Sequence, residues 1–273
     1  MQMLHEKTGK STAEIAVGYT ILRNVYGLRG MWADIEKLEG KINSDTLTEL
    51  YTRISKMIER AMPWYVTHAN EKNMESIITT HSNAVASIRK WMGGHGEKII
   101  NRDENEQYTS DLRSAGVPAK IIHDVFCLPV LAHIPEIVSL AEKTGRSIEN
   151  VAEIYFALED RLRLFWLRTK ARDLSSENVW QREASANLID DLYIMQSTLT
   201  SMILQGHTKA KSAKQKKMAQ PSVVQLVDTW ATSKTDTLQQ YTTMLSEIAN
   251  ARHADFAMLN LALRHLQHLA YKG

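Results

Sequence analysis

Several groups of residues have the types and spacing that chemistry requires. Gly93-Gly94-His95-Gly96 is a glycine cluster. Such a turn can lay backbone amides against a pyrophosphate, but only where it joins a strand to a helix. Here a helical stripe precedes it, so a helix end followed by a loop is the expectation. His123 and Cys127 stand four apart and could form a thiolate–imidazole pair. No third group accompanies them to orient the ring, and a nucleophilic role is set aside. His265 and His268, three apart, could share a metal, yet the chain contains no Glu-x-x-His pair from which a di-iron bundle site is built. Histidines on an amphipathic helix are the preferred reading. His81 falls within an apolar stripe, where a hydrogen-bonded core histidine is expected rather than a ligand. Asp190 and Asp191 flank an apolar seam, with Arg161, Arg163 and Arg168 on the preceding helix, and interhelical ion pairing is preferred to acid–base work.

Lys209, Lys211, Lys214, Lys216 and Lys217 form the basic run of the chain. Such runs can meet a phosphate backbone or an acidic surface. Without interleaved aromatics or a nucleic-acid module, this one reads as a solvated loop, and nucleic acid is not an expected partner. No phosphate-binding loop of the form Gly-x-x-x-x-Gly-Lys-Ser or -Thr occurs: Gly9-Lys10-Ser11 has Leu4 where the first glycine would stand. No catalytic, cofactor-binding or metal-binding residue is therefore assigned.

The elements that hold these residues are helical. Ser11-Thr12-Ala13-Glu14 has capping-box spacing, where hydroxyl and carboxylate satisfy the orphan amides of a helix start. Ile15, Tyr19, Leu22 and Tyr26 share a face until Gly27 and Gly30. Met31, Ile35 and Leu38 form a second stripe, ending at Gly40. Leu47, Leu50, Ile54, Met57 and Ala61 form a third, which Pro63 is expected to kink or end. Ile78, His81, Val85, Ile88 and Met92 follow, closed by Gly93-Gly94. After a polar stretch from Asn101 to Gln107, a short helix stops at Ala115-Gly116-Val117-Pro118. Pro118, Pro129 and Pro135 divide the next part into short helices.

Ser147 is expected to cap one long helix running through Ile148, Val151, Tyr155, Leu158, Leu162 and Phe165. A turn from Asp173 to Ser176 joins it to a second, through Leu188, Leu192, Met195, Leu199 and Met202. Alternating spacings of four and three suit side-by-side packing. A short turn makes the two antiparallel, which places Arg161 against Asp191 or Asp190. Two further helices are expected, over about residues 222–250 and 254–271. The fold class is all-α, a multi-helix bundle without strands. Residues 1–206 form the bundle, 207–221 a lysine-rich linker, and 222–273 the C-terminal helices that pack on the bundle as one folded unit.

Bulk properties agree with this and narrow the function. Of 273 residues, 44% are hydrophobic and 23% charged, which is globular usage rather than disordered. A net charge of +2 lacks the basic footprint of a dedicated nucleic-acid binder. With Cys127 as the one cysteine, no intrachain disulfide and no Cys-rich zinc site can form. The first residues lack the order of a secretion signal, and no apolar run reaches the roughly 20 residues that span a bilayer. A cytoplasmic protein with no membrane partner is the expectation.

Four ordered strings of residues carry a family resemblance. The first is Tyr19, then Arg23-Asn24-Val25-Tyr26-Gly27-Leu28 and Trp32-Ala33-Asp34-Ile35-Glu36-Lys37-Leu38. The second is Ala115-Gly116-Val117-Pro118 with Glu136-Ile137-Val138. The third runs from Tyr155-Phe156 through Leu164-Phe165-Trp166-Leu167-Arg168 to Trp180, Ala184, Asp190-Asp191-Leu192, Gln196 and Leu199-Thr200. The last is Trp230 with Leu261-Ala262-Leu263-Arg264-His265-Leu266. In order and spacing, from about Tyr19 to Leu269, the chain resembles the helical region that follows the catalytic domain in the large bacterial NAD-specific glutamate dehydrogenases. It departs from them at Glu39-Gly40, where Asp and Asn are usual, and at Ser185 and Ser197, where Arg is usual.

The resemblance implies a parent enzyme that oxidatively deaminates L-glutamate to 2-oxoglutarate and ammonia, with NAD as hydride acceptor, as a homo-oligomer. The family's catalytic lysine and dinucleotide motif have no counterpart here, so no site residue carries over. By itself this chain is expected to be inactive and to bind no cofactor. Its partner is the remainder of the dehydrogenase, and its role is structural. Two other readings stand beside this one: a free-standing helical scaffold, and a polyanion-binding module acting through Lys209–Lys217.

Overall fold

In the computed structural model, residues 5–6, 8–100, 103–175, 179–209, 222–251 and 254–271 are described. Among them the secondary structure is α-helical, with no strand. The chain divides into two compact units, one of residues 1–142 and 147–149, the other of residues 143–146 and 150–273.

Unit 1 contains α1 (Thr12–Tyr26), α2 (Leu28–Glu36), α3 (Ser44–His68), α4 (Met74–Ile100), α5 (Asp103–Ser114), α6 (Ala119–Leu131) and α7 (Ile134–Thr144). The Ser11 capping box forms as expected: the Glu14 amide donates to the Ser11 hydroxyl, and the Ser11 amide donates to the Glu14 carboxylate. These bonds, with Lys10 beside them, hold the Glu14 pKa down at about 2. Gly27 closes α1 in the left-handed conformation, where glycine carries no Cβ penalty. Helix α5 ends in a Schellman pattern, with the Gly116 amide on the Arg113 carbonyl and the Val117 amide on the Leu112 carbonyl. Helices α1, α3 and α4 pack together, and α6 lies across α3 and α4. Their shared core includes Leu22, Tyr26, Ile54, Tyr65, Ile88 and Val125. Gly18 allows the close crossing: a Cβ there would stand 2.9 Å from Val66 Cγ2 and 3.0 Å from the Val66 backbone nitrogen.

Pro63, expected to kink or end its helix, does not end α3, which runs on to His68. The turns around the proline bury Met62, Tyr65 and Val66, and that burial outweighs one lost backbone bond. Nor does Gly93-Gly94 close α4, which continues to Ile100. Neither glycine takes the left-handed conformation a helix stop requires. No single helix among the described residues is long and apolar enough to cross a membrane. The apolar pair α6 and α7, bent by 60°, has Ile121, Ile122, Leu128, Val130, Ile134 and Ile137 buried.

Unit 2 contains α8 (Ile148–Arg161), α9 (Leu164–Asp173), α10 (Val179–Lys209), α11 (Val223–Ser233), α12 (Thr235–Asn250) and α13 (Phe256–Tyr271). The single helix expected from Ser147 through Phe165 is broken in two at Leu162–Arg163. Arg163 is left-handed there, with φ 50° and ψ 39°, a conformation costly for a residue with a Cβ. The Tyr241 hydroxyl, from α12, donates to the Leu162 carbonyl that the break leaves over. The expected C-terminal helix over residues 222–250 is likewise two, α11 and α12, divided at Lys234. Helix α10 packs against α9, α11 and α13, and α12 against α13. The basic run lies outside the described residues, apart from Lys209 at the end of α10.

Candidate functional site

The strongest constellation of polar groups is buried in unit 2. Arg168 on α9 is 6% exposed and Glu159 on α8 is 7% exposed, and their charged ends are 3.0 Å apart. Gln196 on α10 completes the set. Its amide oxygen accepts from Arg168 at 3.1 Å, and its amide nitrogen donates to Glu159 Oε2 and to the Tyr155 carbonyl, each at 3.0 Å. The Arg168 guanidinium also lies over the Tyr193 ring, 4.2 Å from its centre. Burial works against the charge on Arg168, but Tyr193, Glu159 and Tyr155 offset that and hold its pKa above the ordinary value. One turn along, Ser185 donates to the Ala171 carbonyl at 2.7 Å. These groups satisfy one another and are closed to solvent, which suits fixing three helices in register rather than turning over a substrate.

This network replaces the ion pair expected from sequence. Arg161 meets neither Asp191 nor Asp190: it lies 3.4 Å from Asp228 on α11, and both of its expected partners are exposed. The break at Arg163 explains the difference, because it ends the long helix from which the register was counted. Arg163 stacks on Trp166 instead, 5.1 Å from the ring centre. Of the three arginines, Arg168 makes the buried interhelical pair, with a glutamate the spacing argument did not consider.

Unit 1 holds a second buried chain of polar groups. His81 Nδ1 is 2.9 Å from the Tyr65 hydroxyl, which donates onward to Tyr26 at 3.3 Å. Tyr26 and Tyr65 are fully buried, and desolvation pushes both phenols well above their usual range. His81 is 4% exposed, and burial lowers its pKa to about 4, so it is neutral at physiological pH. It is the hydrogen-bonded core histidine its stripe implied.

The other candidates are not brought together. Cys127 is fully buried, and burial pushes its thiol up to about 12, away from a reactive thiolate. The nearest charged neighbour of His123 is Asp124, at 3.8 Å, within a cluster where Asp124 also meets Lys120 at 3.3 Å and Arg89 at 3.8 Å. Lys120 in turn reaches Asp34 on α2 at 2.6 Å. Helix α4 runs through the glycine cluster, so no strand–turn–helix frame surrounds it. His265 and His268 lie on α13, and no group of three metal-ligating side chains occurs among the described residues. A shallow, open depression is lined by Ala16, Val17, Thr20, Glu71 and Met74, with one charge among them.

Comparison with known proteins places this geometry. The family model described as glutamate dehydrogenase, C-terminal, matches residues 1–268. The NAD-specific glutamate dehydrogenase of Halomonas elongata is 24% identical over 273 residues, covering 99% of this chain and 16% of that protein. The one from Pseudomonas aeruginosa is 26% identical over 274 residues, with 99% and 16% covered. That of Mycobacterium tuberculosis is 23% identical over 273 residues, with 97% and 16% covered. The chain thus spans about a sixth of the length of each of these relatives.

Proposed function

Because the chain belongs to the glutamate dehydrogenase C-terminal family, matched over residues 1–268, we propose that it serves as the non-catalytic C-terminal helical domain of an NAD-specific glutamate dehydrogenase. In this reading the parent enzyme converts L-glutamate, NAD and water to 2-oxoglutarate, ammonia and NADH in the cytoplasm, as a homo-oligomer. This domain packs on the remainder of the chain and helps hold the assembly together. The observation that carries the proposal is the match along almost the whole chain. The polar groups of the Arg168 network support it, since they are spent on one another in the interior. The isolated chain is then expected to reduce no NAD in the presence of glutamate and to give no heat of NAD binding by calorimetry. Saturable NAD binding at micromolar concentration would overturn the non-catalytic assignment. Sequence of the encoding gene upstream of Met1 tests the parentage: a reading frame continuous with a dinucleotide-binding domain is expected, and a stop codon immediately before Met1 would favour a free-standing scaffold.

A further inference from the structure

Helices α10 and α13 pack side by side within unit 2, and each leaves one face in water. On α10 that face carries Trp180, 80% exposed, and Ile194, also exposed. Fourteen residues of helix return to within about 40° of the same direction, about 21 Å along the axis. Glu183 and Asp191, both exposed, lie between them on that side, while Arg182 is about 200° round from Trp180. On α13 the uncovered face carries Leu261 and Tyr271, the latter 72% exposed, with Arg264 and His268 exposed between them. Successive spacings of three, four and three keep these four residues within about 80° of one another. Helix α13 contains no acidic residue. Each face therefore reads apolar, polar, apolar, and its polar centre is acidic on α10 and basic on α13.

We infer that this pair of faces is the surface through which two copies of the chain associate. A two-fold contact is isologous, so that each copy presents the same patch to its partner. An acidic helix alone would then meet its own like, and so would a basic one. An acidic helix beside a basic one is its own complement: α10 of each copy lies on α13 of the other, and opposite charges meet twice. The apolar ends, Trp180 and Ile194 against Leu261 and Tyr271, are covered in the same contact, which removes large apolar side chains from water. Trp, Tyr and Arg are also the residue types that dominate association energies once buried. The charged centres fix the register and exclude a like-against-like pairing. The occupant is a second copy because the chain itself supplies the complementary face. The inference goes beyond the proposed function and does not depend on it.

Sedimentation velocity of the whole 273-residue chain over a concentration series tests this. Glu183→Lys/Asp191→Lys makes both faces basic, and Arg264→Glu/His268→Glu makes both acidic. All four residues are exposed, so each variant is expected to keep the wild-type circular dichroism spectrum, which separates lost association from lost fold. Wild type is expected to dimerise, and each variant alone to do so at least about tenfold more weakly. An equimolar mixture of the two variants is expected to recover a dimer of one of each, because opposite charges then meet at both contacts. Should a reversal disturb the spectrum, Trp180→Ser carries the same decision, since it removes an exposed apolar anchor without touching a charge and should weaken the dimer. A wild type that stays monomeric up to the millimolar range, as when another part of a longer chain covers the face, overturns the inference. So does a dimer that neither the reversals nor Trp180→Ser weakens, or a mixture of folded variants that associates no better than either alone.

Discussion

Glu159→Gln replaces a buried carboxylate with an amide of nearly the same shape and leaves Arg168 with a charge and no counter-charge. Stripping one partner from a buried ion pair costs about 3–5 kcal/mol. Arg168 would keep its bond to Gln196 at 3.1 Å and its place over Tyr193 at 4.2 Å, so the lower end, about 3 kcal/mol, is expected. At about 2–4 °C per kcal/mol, that is a fall of about 6–12 °C in melting temperature. Differential scanning calorimetry is the suitable assay, because two units can unfold in separate transitions and only the one carrying unit 2 should move. The companion variant Glu159→Leu/Arg168→Met removes both charges and should cost less than Glu159→Gln alone. Arg161→Ala serves as the control: its pair with Asp228 is exposed, with side chains 45% and 59% accessible, and its loss should cost about 0–1 kcal/mol. A cost below about 1 kcal/mol for Glu159→Gln would refute the reasoning. So would a double variant as unstable as the sum of its singles, since the pair would then not be coupled in the dry interior.

Three further outcomes are expected. The His81 pKa is about 4 in the folded chain against an ordinary 6.5, so its stabilising effect is complete above about pH 6.5 and is lost as the pH falls toward 4, by at most about 3 kcal/mol. Urea midpoints measured across that window should fall more steeply for wild type than for His81→Gln, and equal slopes would count against it. Gly18→Ala should destabilise unit 1 by about 1–3 kcal/mol through overpacking, and Val66→Ala should not fully restore it, because the Val66 backbone nitrogen would still stand at 3.0 Å; complete rescue in a denaturation series would contradict the crossing. Tyr241→Phe leaves the Leu162 carbonyl without its donor and should cost about 1–3 kcal/mol, whereas a neutral result by chemical denaturation would mean that water takes the hydroxyl's place.

Local signals in the sequence proved reliable where they act within one or two turns. The Ser11 capping box, the stop at Gly27 and the Gly116-Val117 pattern each depend on bonds between residues a few positions apart, and each is formed. Misreadings occur where tertiary packing overrides a local preference. Gly93-Gly94 continues a helix without taking a left-handed turn. The break at Arg163 has no Gly or Pro to announce it, and its partner Tyr241 lies 79 residues away. The same break made the Arg161 register illegible, since equidistance from a turn assumes two unbroken helices. Of the buried network, Arg168 was a named candidate. Glu159 was not, because a glutamate next to Leu158 in an amphipathic stripe looks like any surface carboxylate until a third helix supplies Gln196.

The joint at Leu162–Arg163 also has a consequence for how the protein opens. Helix α12 cannot lift away without uncovering the Leu162 carbonyl, and α8 and α9 cannot straighten into one helix without taking that carbonyl from Tyr241. Detachment of α12 and rearrangement of the joint are therefore one event. Amide protons in α12 and in the turns beside Arg163 should share a single opening free energy in native-state hydrogen exchange, as members of one cooperative unit, although nearly eighty residues of chain lie between them.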